Sequence, residues 1–229
     1  MESGARREGC RAVNISHRYR FVFLATSHAA STSIGALLKP YADIAGIDRQ
    51  LTGPSSPFFH HINAVDCRRE MSAWGYDWAQ YRHFCVVRNP FDRVVSLYHF
   101  SRRFAWHPSM GALTNVRRYV SYRLRSRLSF DDFVLSLNLE SRPNLTLKNF
   151  ICGPNGEELV EDILRFEELS EVLPLYLGSL GLPSGQLVLP RDNVSTGRVG
   201  GYRDYYTRAS RERVERLFAY EIQRFGYEF

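Results

Sequence analysis

The stretch "TSHAASTS", residues 26–33, combines residue types that can bind an oxyanion and move a proton. Its small side chains let backbone N–H groups approach a phosphate closely, and Ser31, Thr32 and Ser33 add hydroxyl donors. His28 stands in the middle of the stretch, where an imidazole could donate a hydrogen bond or carry a positive charge. We therefore expect this segment to favour an oxyanion.

A second stretch, "CVVRNPFDRVVSLYHF" at residues 85–100, offers two more donors to an anion. Arg88 directly follows an apolar run, and a guanidinium can bind a phosphate through two parallel N–H bonds. Ser96 lies eight residues later and could reach the same group from the helix expected there. An alternative remains open, in which Arg88 only forms a structural ion pair with Asp92.

The elements around these residues place them at the ends of strands, where parallel sheets bind ligands. The apolar run at residues 21–26 predicts a buried strand, and Ser31 or Thr32 is a good N-cap for a helix that runs to about Lys39. The dipole of a helix N-terminus favours an anion. The Ser-Thr-Ser sequence could instead cap the helix for stability alone. No glycine precedes Gly35 in the loop, so the Walker A pattern of nucleoside triphosphatases is absent.

The rest of the chain alternates between strand and helix patterns, which is typical of an α/β fold. A second buried strand is expected at residues 83–87, and a helix is expected over 91–104. Further along the chain, we expect a strand with a turn at 162–169 and three more helices, at 130–137, 171–182 and 207–226. We predict a single α/β domain at residues 18–229, with a P-loop-like parallel sheet flanked by helices on both faces. Residues 1–17 are expected to form a flexible polar lead-in.

Composition excludes several classes of protein. The chain has 229 residues, of which 44% are hydrophobic, and no apolar run approaches the roughly 18 residues that span a bilayer. The N-terminal residues lack the apolar region of a secretory signal, so the cytoplasm is the simplest expected location. The four cysteines are scattered without a Cys-x-x-Cys pair, so we expect free thiols and no metal site.

Positive charge is concentrated in one segment. The net charge is +6, and no acidic residue occurs between Asp92 and Asp131. Eight arginines fall inside this interval: Arg93, Arg102, Arg103, Arg117, Arg118, Arg123, Arg125 and Arg127. The segment predicts an anion-binding surface. The alternative is that a composition with 28 arginines and two lysines places arginines throughout the chain without a binding role.

Several motifs in order resemble a known family. "VVRNPFDRVVSLYHF" looks like the 3′-phosphate-binding stretch of sulfotransferases that use 3′-phosphoadenosine 5′-phosphosulfate (PAPS), particularly those that act on carbohydrates. The loop at 26–33 stands where that family carries its 5′-phosphosulfate loop. "HHINAVDCRREM", "ILRFEEL", "LPRDNVS" and "YRDYYT" followed by the C-terminal helix match further segments, so the resemblance covers about residues 18–229.

The resemblance implies a role for individual residues. The 5′-phosphosulfate would be held by Ala30, Ser31, Thr32 and Ser33. Arg88 and Ser96 would hold the 3′-phosphate that distinguishes PAPS from ATP. His61 occupies the position of the catalytic base, and its neighbour His60 is the second choice; an ordinary loop histidine is the alternative for His61.

One departure from the family pattern concerns charge in the loop. Where the family usually carries Pro-Lys-Thr, this chain reads Ser27-His28-Ala29, so the lysine is missing. His28 could fill its role as an imidazolium, because the field of a bound phosphosulfate raises the pKa of a nearby imidazole. The competing interpretation is a weakened relative that binds nucleotide or polyanions without turnover.

The expected reaction is therefore sulfuryl transfer to a hydroxyl of an acceptor, with no metal and no nucleic-acid partner. An acidic carbohydrate would suit the arginine segment, with Arg117 and Arg118 as acceptor contacts. Two other classes stay open: a nucleotide-kinase-like P-loop enzyme, and a non-catalytic polyanion or nucleic-acid binder. The latter would use aromatic residues between the arginines, which are otherwise expected in the core or a lid: Phe100, Phe104, Trp106, Tyr119 and Tyr122.

Overall fold

The computed structural model describes residues 13–47, 49, 52–104, 106, 111–183 and 198–229. They cluster in two compact units. The first contains the described residues up to Val87 and those from Pro143 to 183, and the second contains Arg88–Arg142 and residues 198–229. The "LPRDNVS" motif at 189–195 lies outside the described residues.

The first unit is built on a five-stranded sheet with the order β3-β1-β2-β4-β5. Its strands are β1 (Asn14–Ser16), β2 (Phe21–Leu24), β3 (Ile44–Ala45), β4 (Arg82–Val87) and β5 (Asp162–Arg165). β2, β4 and β5 run parallel, whereas β1 pairs antiparallel with both β2 and β3. The carboxyl ends of the three parallel strands therefore share one edge of the sheet.

Side chains on both faces of this sheet are buried. On one face, the core contains Phe21, Phe23 and Phe84 together with side chains from α1 (Ser31–Leu38) and α7 (Leu169–Ser179). Alternate residues such as Val22 and Cys85 point to the opposite face and are also fully buried. The remaining helices of this unit are α2 (Ala64–Ala73) and α6 (Leu147–Ile151), which pack on each other.

The second unit is helical in its described part. It contains α3 (Pro90–Ser101), α4 (Ala112–Arg125), α5 (Phe130–Leu135), α8 (Arg208–Leu217) and α9 (Ala219–Phe225). Asn89 caps α3 through its side chain, and Pro90 follows at the first helical position, where its missing N–H costs nothing. Ser129 caps α5 and Thr207 caps α8 in the same way.

The α/β class predicted for a single domain is confirmed, with two corrections to detail. The sheet is mixed rather than purely parallel, because the chain enters through the antiparallel strand β1. Asn14–Ser16 was assigned to the flexible lead-in, yet β1 is fully buried between β2 and β3, so the ordered fold begins before residue 18. Three residues with polar ends give too short a pattern to predict a strand.

The C-terminal segment also departs from prediction. The sequence predicts one helix over 207–226, whereas Phe218 leaves the helical conformation and separates α8 from α9. The Phe218 ring is fully buried, and the guanidinium of Arg93 lies 4.9 Å from its centre. The break is where this ring enters the core of the second unit.

Candidate functional site

The loop after β2 has an unusual backbone conformation. His28 has a φ of 62° and Ala30 a φ of 58°, both in the left-handed region that side chains other than glycine rarely adopt. For an alanine, the left-handed conformation costs about 1–2 kcal/mol relative to the right-handed one. The Thr26 hydroxyl donates a hydrogen bond to the Val86 carbonyl and so fixes the start of the loop to β4. Strain of this kind concentrates at functional sites.

The loop leads into a helix N-terminus without a side-chain cap. The N-cap residue of α1 is Ala30 rather than the expected Ser31 or Thr32, and Ala30 has no side chain that can cap the helix. No acidic residue occurs in the first turn. A left-handed residue followed by right-handed helix turns consecutive N–H groups towards one point, which makes an anion-binding concavity. The alternative that the Ser-Thr-Ser sequence only stabilises the helix as its cap is therefore not supported, because the N-cap residue carries no hydroxyl.

His61 is attached to the root of the same loop. Its Nδ1 lies 2.6 Å from the carbonyl oxygen of Ala25, the residue that follows β2. A carbonyl can only accept, so Nδ1 carries the proton and Nε2 carries the lone pair. His61 itself has a φ of 57°. An imidazole in this tautomer is suited to take a proton at Nε2.

The backbone of His61 has a second support. The Asn144 side-chain amide donates to the His61 carbonyl at 3.2 Å, and Asn63, the N-cap of α2, donates to the Asn144 oxygen at 3.5 Å. The ring of His61 is thus fixed by a backbone carbonyl and its main chain by an amide. Asn144 lies outside the quoted motifs, and Asn63 lies within the motif at residues 60–71 without a predicted role, so the sequence analysis missed both supports.

Arg88, in the second unit, follows β4 directly in the chain and pairs with Asp92. Its Nε and Nη2 atoms lie 2.8 and 2.6 Å from one carboxylate oxygen. The other oxygen of Asp92 accepts from Arg198 at 2.6 Å. The structural pair considered from sequence is thus present, and two guanidiniums share one carboxylate. Sequence analysis missed Arg198, which stands 106 residues away from Asp92.

The face of α3 beyond this cluster is strongly positive. Ser96 lies on α3 one turn after Asp92 and is half-buried. One turn further, the pKa of His99 is lowered by partial burial and by the charges of nearby arginines: Arg102, Arg198 and Arg103. Ser96 is therefore a hydroxyl donor on a positively charged helix face, which suits an anion.

Arg117 and Arg118 lie on α4, also in the second unit. Arg117 is exposed and Arg118 half-buried. Consecutive helical residues point about 100° apart. The two guanidiniums therefore do not form one clamp, and each would contact a different part of any acceptor.

A cavity of about 440 Å³ lies elsewhere in the second unit. Its lining contains none of the predicted site residues and comprises Tyr206, Thr207, Arg208, Arg211, Glu212, Glu215 and Phe229. Within the described ranges, no three His, Cys, Asp or Glu side chains are placed to hold a metal ion. Across the same ranges, no helix is long and apolar enough to cross a membrane.

Comparisons with known proteins relate most of the chain to sulfotransferases. The sequence profile described as "Sulfotransferase family" matches residues 11–228. Comparison with curated proteins gave no match. Among solved structures, mouse sulfotransferase SULT7A1 complexed with PAP is similar at 17% identity, with 91% of this chain and 85% of that chain covered and a TM-score of 0.41.

Proposed function

The chain belongs to the sulfotransferase family, and on that premise we propose that it transfers a sulfuryl group from PAPS to a hydroxyl group of an acceptor. The observation that carries the proposal is the hydrogen bond from His61 Nδ1 to the Ala25 carbonyl. This bond supports the proposal because, in a neutral ring, it leaves Nε2 as the basic nitrogen of a histidine attached to the loop that we propose binds the donor. Acid–base chemistry at such a position is what sulfuryl transfer to a hydroxyl requires.

The donor would be held by two groups of residues. The N–H groups and hydroxyls of Ala30, Ser31, Thr32 and Ser33 hold the 5′-phosphosulfate. Arg88 and Ser96 hold the 3′-phosphate, and the presence of two guanidiniums at one carboxylate supports this role. Protein donors neutralise both phosphates, so we expect activity to persist in EDTA.

The chemical step follows from these assignments. His61 Nε2 takes the proton of the acceptor hydroxyl while the hydroxyl oxygen attacks sulfur. The new S–O bond forms as the bond from sulfur to the bridging oxygen breaks, and adenosine 3′,5′-bisphosphate leaves with the electron pair. His28, as imidazolium, donates to that bridging oxygen and stabilises the charge that develops there.

For the acceptor, we propose a carbohydrate with acidic groups. Eight arginines without an intervening acid support this choice, and Arg117 and Arg118 would provide separate contacts because they diverge on α4. We expect no nucleic-acid partner.

Calorimetric titration with adenosine 3′,5′-bisphosphate, with ADP for comparison, tests the donor site. We expect micromolar affinity for the bisphosphate and at least tenfold weaker binding of ADP, because only the former offers a 3′-phosphate. Arg88→Ala should abolish the difference between the two nucleotides. The matched control Arg208→Ala, at an arginine whose side chain is 93% exposed, should leave it intact.

Sulfate transfer from radiolabelled PAPS to a panel of acidic and neutral sugars then tests turnover. Transfer to an acidic sugar supports the full proposal. Binding of the bisphosphate without transfer to any acceptor would instead favour the weakened relative. No binding of the bisphosphate would overturn the donor site and move a polyanion-binding role to first place.

A further inference from the structure

The helix α4 exposes an apolar stripe to solvent. Leu113, Val116, Val120 and Leu124 are each between 50% and 66% exposed. Their spacing places all four side chains within about 80° of one another around the helix axis. The stripe is therefore continuous along the helix rather than a scatter of single apolar residues.

The orientation of this helix is the reverse of the usual one. A surface helix of a globular protein normally turns its apolar stripe inward. In α4 the residue that is fully buried is the polar Asn115, and Tyr119 and Tyr122 lie beside the ring of Phe104. The inward face of α4 is thus polar and aromatic, while its aliphatic face is left to a partner outside the described residues of the chain.

The charges that flank the stripe indicate the kind of partner. Arg117 lies just beyond one border of the stripe and Arg123 just beyond the other, and both are exposed. The helix contains no acidic residue. Trp106, which follows Phe104 by two residues, is 57% exposed. Aliphatic residues bordered by arginines, with an exposed tryptophan nearby, are typical of helices that lie at a membrane interface.

We propose that α4 docks on an anionic lipid bilayer, with the stripe inserted among the acyl chains and the flanking arginines at the headgroups. A second copy of the chain is a poor partner for the stripe, because two such helices would bring arginines together without an acid to offset them. An anionic membrane supplies both apolar volume for the stripe and negative charge for the arginines. The inference does not rest on the proposed sulfuryl transfer, although it places at the headgroups Arg117, which the proposed function assigns to the acceptor.

Vesicle co-sedimentation of the full chain tests the proposal. We expect binding to vesicles of phosphatidylcholine with 30% phosphatidylserine, and at least tenfold weaker binding to pure phosphatidylcholine. Replacement of all four stripe residues by glutamine, which keeps helix propensity, should reduce binding by at least tenfold. The matched control is Leu175→Gln, at a residue on α7 that is 76% exposed and outside the stripe, and it should bind normally.

The glutamine variant tests insertion of the stripe, and a change of salt concentration tests charge attraction. High salt should weaken wild-type binding several-fold, since the arginine contribution is screened. Equal binding of the glutamine variant would overturn the proposal, since charge alone would then carry the interaction. Absence of vesicle binding would overturn it too, and self-association in sedimentation velocity that the glutamine variant loses would assign the stripe to a second copy. Because the stripe residues have no role in the proposed chemistry, sulfate transfer to a soluble acceptor tests that function separately.

Discussion

His61 is held in one tautomer by its bond to Ala25, and this makes its role testable. His61→Ala should lower the rate of sulfate transfer by 10²–10⁴-fold, which is the usual contribution of a positioned acid–base group. The affinity for adenosine 3′,5′-bisphosphate should change less than twofold, because the base contacts the acceptor rather than the donor. Single-turnover transfer and calorimetry measure the two quantities.

His60 is the matched control for this experiment. It neighbours His61 in the same half-buried segment, so His60→Ala reports on general disturbance there. We expect His60→Ala to retain at least half of the wild-type rate. A rate for His61→Ala that equals that of His60→Ala would remove His61 from the mechanism.

His28 stands where the family usually carries a lysine, and its left-handed backbone decides which substitutions are informative. Asparagine tolerates φ values near 60°, so His28→Asn keeps the loop conformation and removes only the cationic donor. We expect transfer to fall about 10²-fold, the typical cost of one donor at a developing oxyanion. His28→Lys restores the charge and should recover part of the rate. Steady-state assays measure the rate of sulfate transfer for both variants. An unchanged rate in His28→Asn would show that the imidazole has no catalytic role.

Within the sheet, β4 carries a histidine whose protonation opposes folding. Burial lowers the pKa of His83 to about 4, and its ring stacks on Trp78 with ring centres 3.8 Å apart. Between about pH 6.5 and 4 the unfolded chain binds a proton here that the folded chain does not. The free energy of unfolding therefore has its full value above pH 6.5, and it decreases as the pH falls towards 4 because the unfolded state gains a proton that the folded state does not.

We expect this linkage to reduce the free energy of unfolding by about 2 kcal/mol from pH 7 to pH 4. His83→Phe keeps an aromatic ring against Trp78 and cannot be protonated. Urea denaturation at both pH values should show a smaller loss for this variant than for the wild type. Parallel losses in the two proteins would mean that other groups account for the acid sensitivity.

The helices α3 and α9 are joined by a buried ion pair. Arg93 and Glu221 lie 3.4 Å apart with both side chains almost fully buried, and desolvation lowers the pKa of Arg93. Removal of one partner leaves an uncompensated buried charge, so Glu221→Gln should destabilise the fold by about 3–5 kcal/mol. Urea denaturation measures the change.

An exposed pair on α8 provides the comparison. Arg208 and Glu212 lie 2.8 Å apart, with the arginine side chain 93% exposed. Pairs of this kind contribute about 0.3–0.5 kcal/mol, so Glu212→Gln should have almost no effect on the urea midpoint. Similar midpoints for Glu221→Gln and Glu212→Gln would contradict the assignment of the buried pair.

The strands and helices that carry the candidate site could be predicted because each has a local pattern. The apolar runs at β2 and β4 and the Asn-Pro start of α3 are read from neighbouring residues. The helix α4 was not predicted, although its aliphatic residues recur at helical spacing in the sequence: Leu113, Val116, Val120 and Leu124. Trp106 and Tyr119, which were expected in the core or a lid, are exposed and so lie outside the core.

The contacts that position the site could not be predicted from local patterns. The carbonyl of Ala25 accepts from His61 irrespective of which side chain residue 25 carries, so the sequence contains no signal for it. Asp92 selects Arg198 from among 28 arginines only through the fold. Residue types could therefore nominate the chemistry, while the geometry depends on contacts between distant parts of the chain.

The excess of arginine over the whole chain predicts how acceptor binding responds to salt. With a net charge of +6, the protein attracts acidic acceptors over distances that salt screens. Raising the ionic strength from 0.05 M to about 0.3 M should increase KM for an acidic sugar several-fold and leave kcat unchanged, since the reacting atoms are unaffected. A neutral sugar should show no change in KM, and initial-rate assays measure both.

Charge reversal locates this attraction on the chain. Arg117→Glu with Arg118→Glu should raise KM for the acidic sugar at low salt and flatten its salt dependence. The same reversal at Arg208 and Arg211 on α8 is the control, because it changes the net charge equally. If the two double variants behave alike, the attraction comes from net charge alone. If the lowest KM is found for a neutral hydrophobic acceptor, the proposal of an acidic acceptor is wrong.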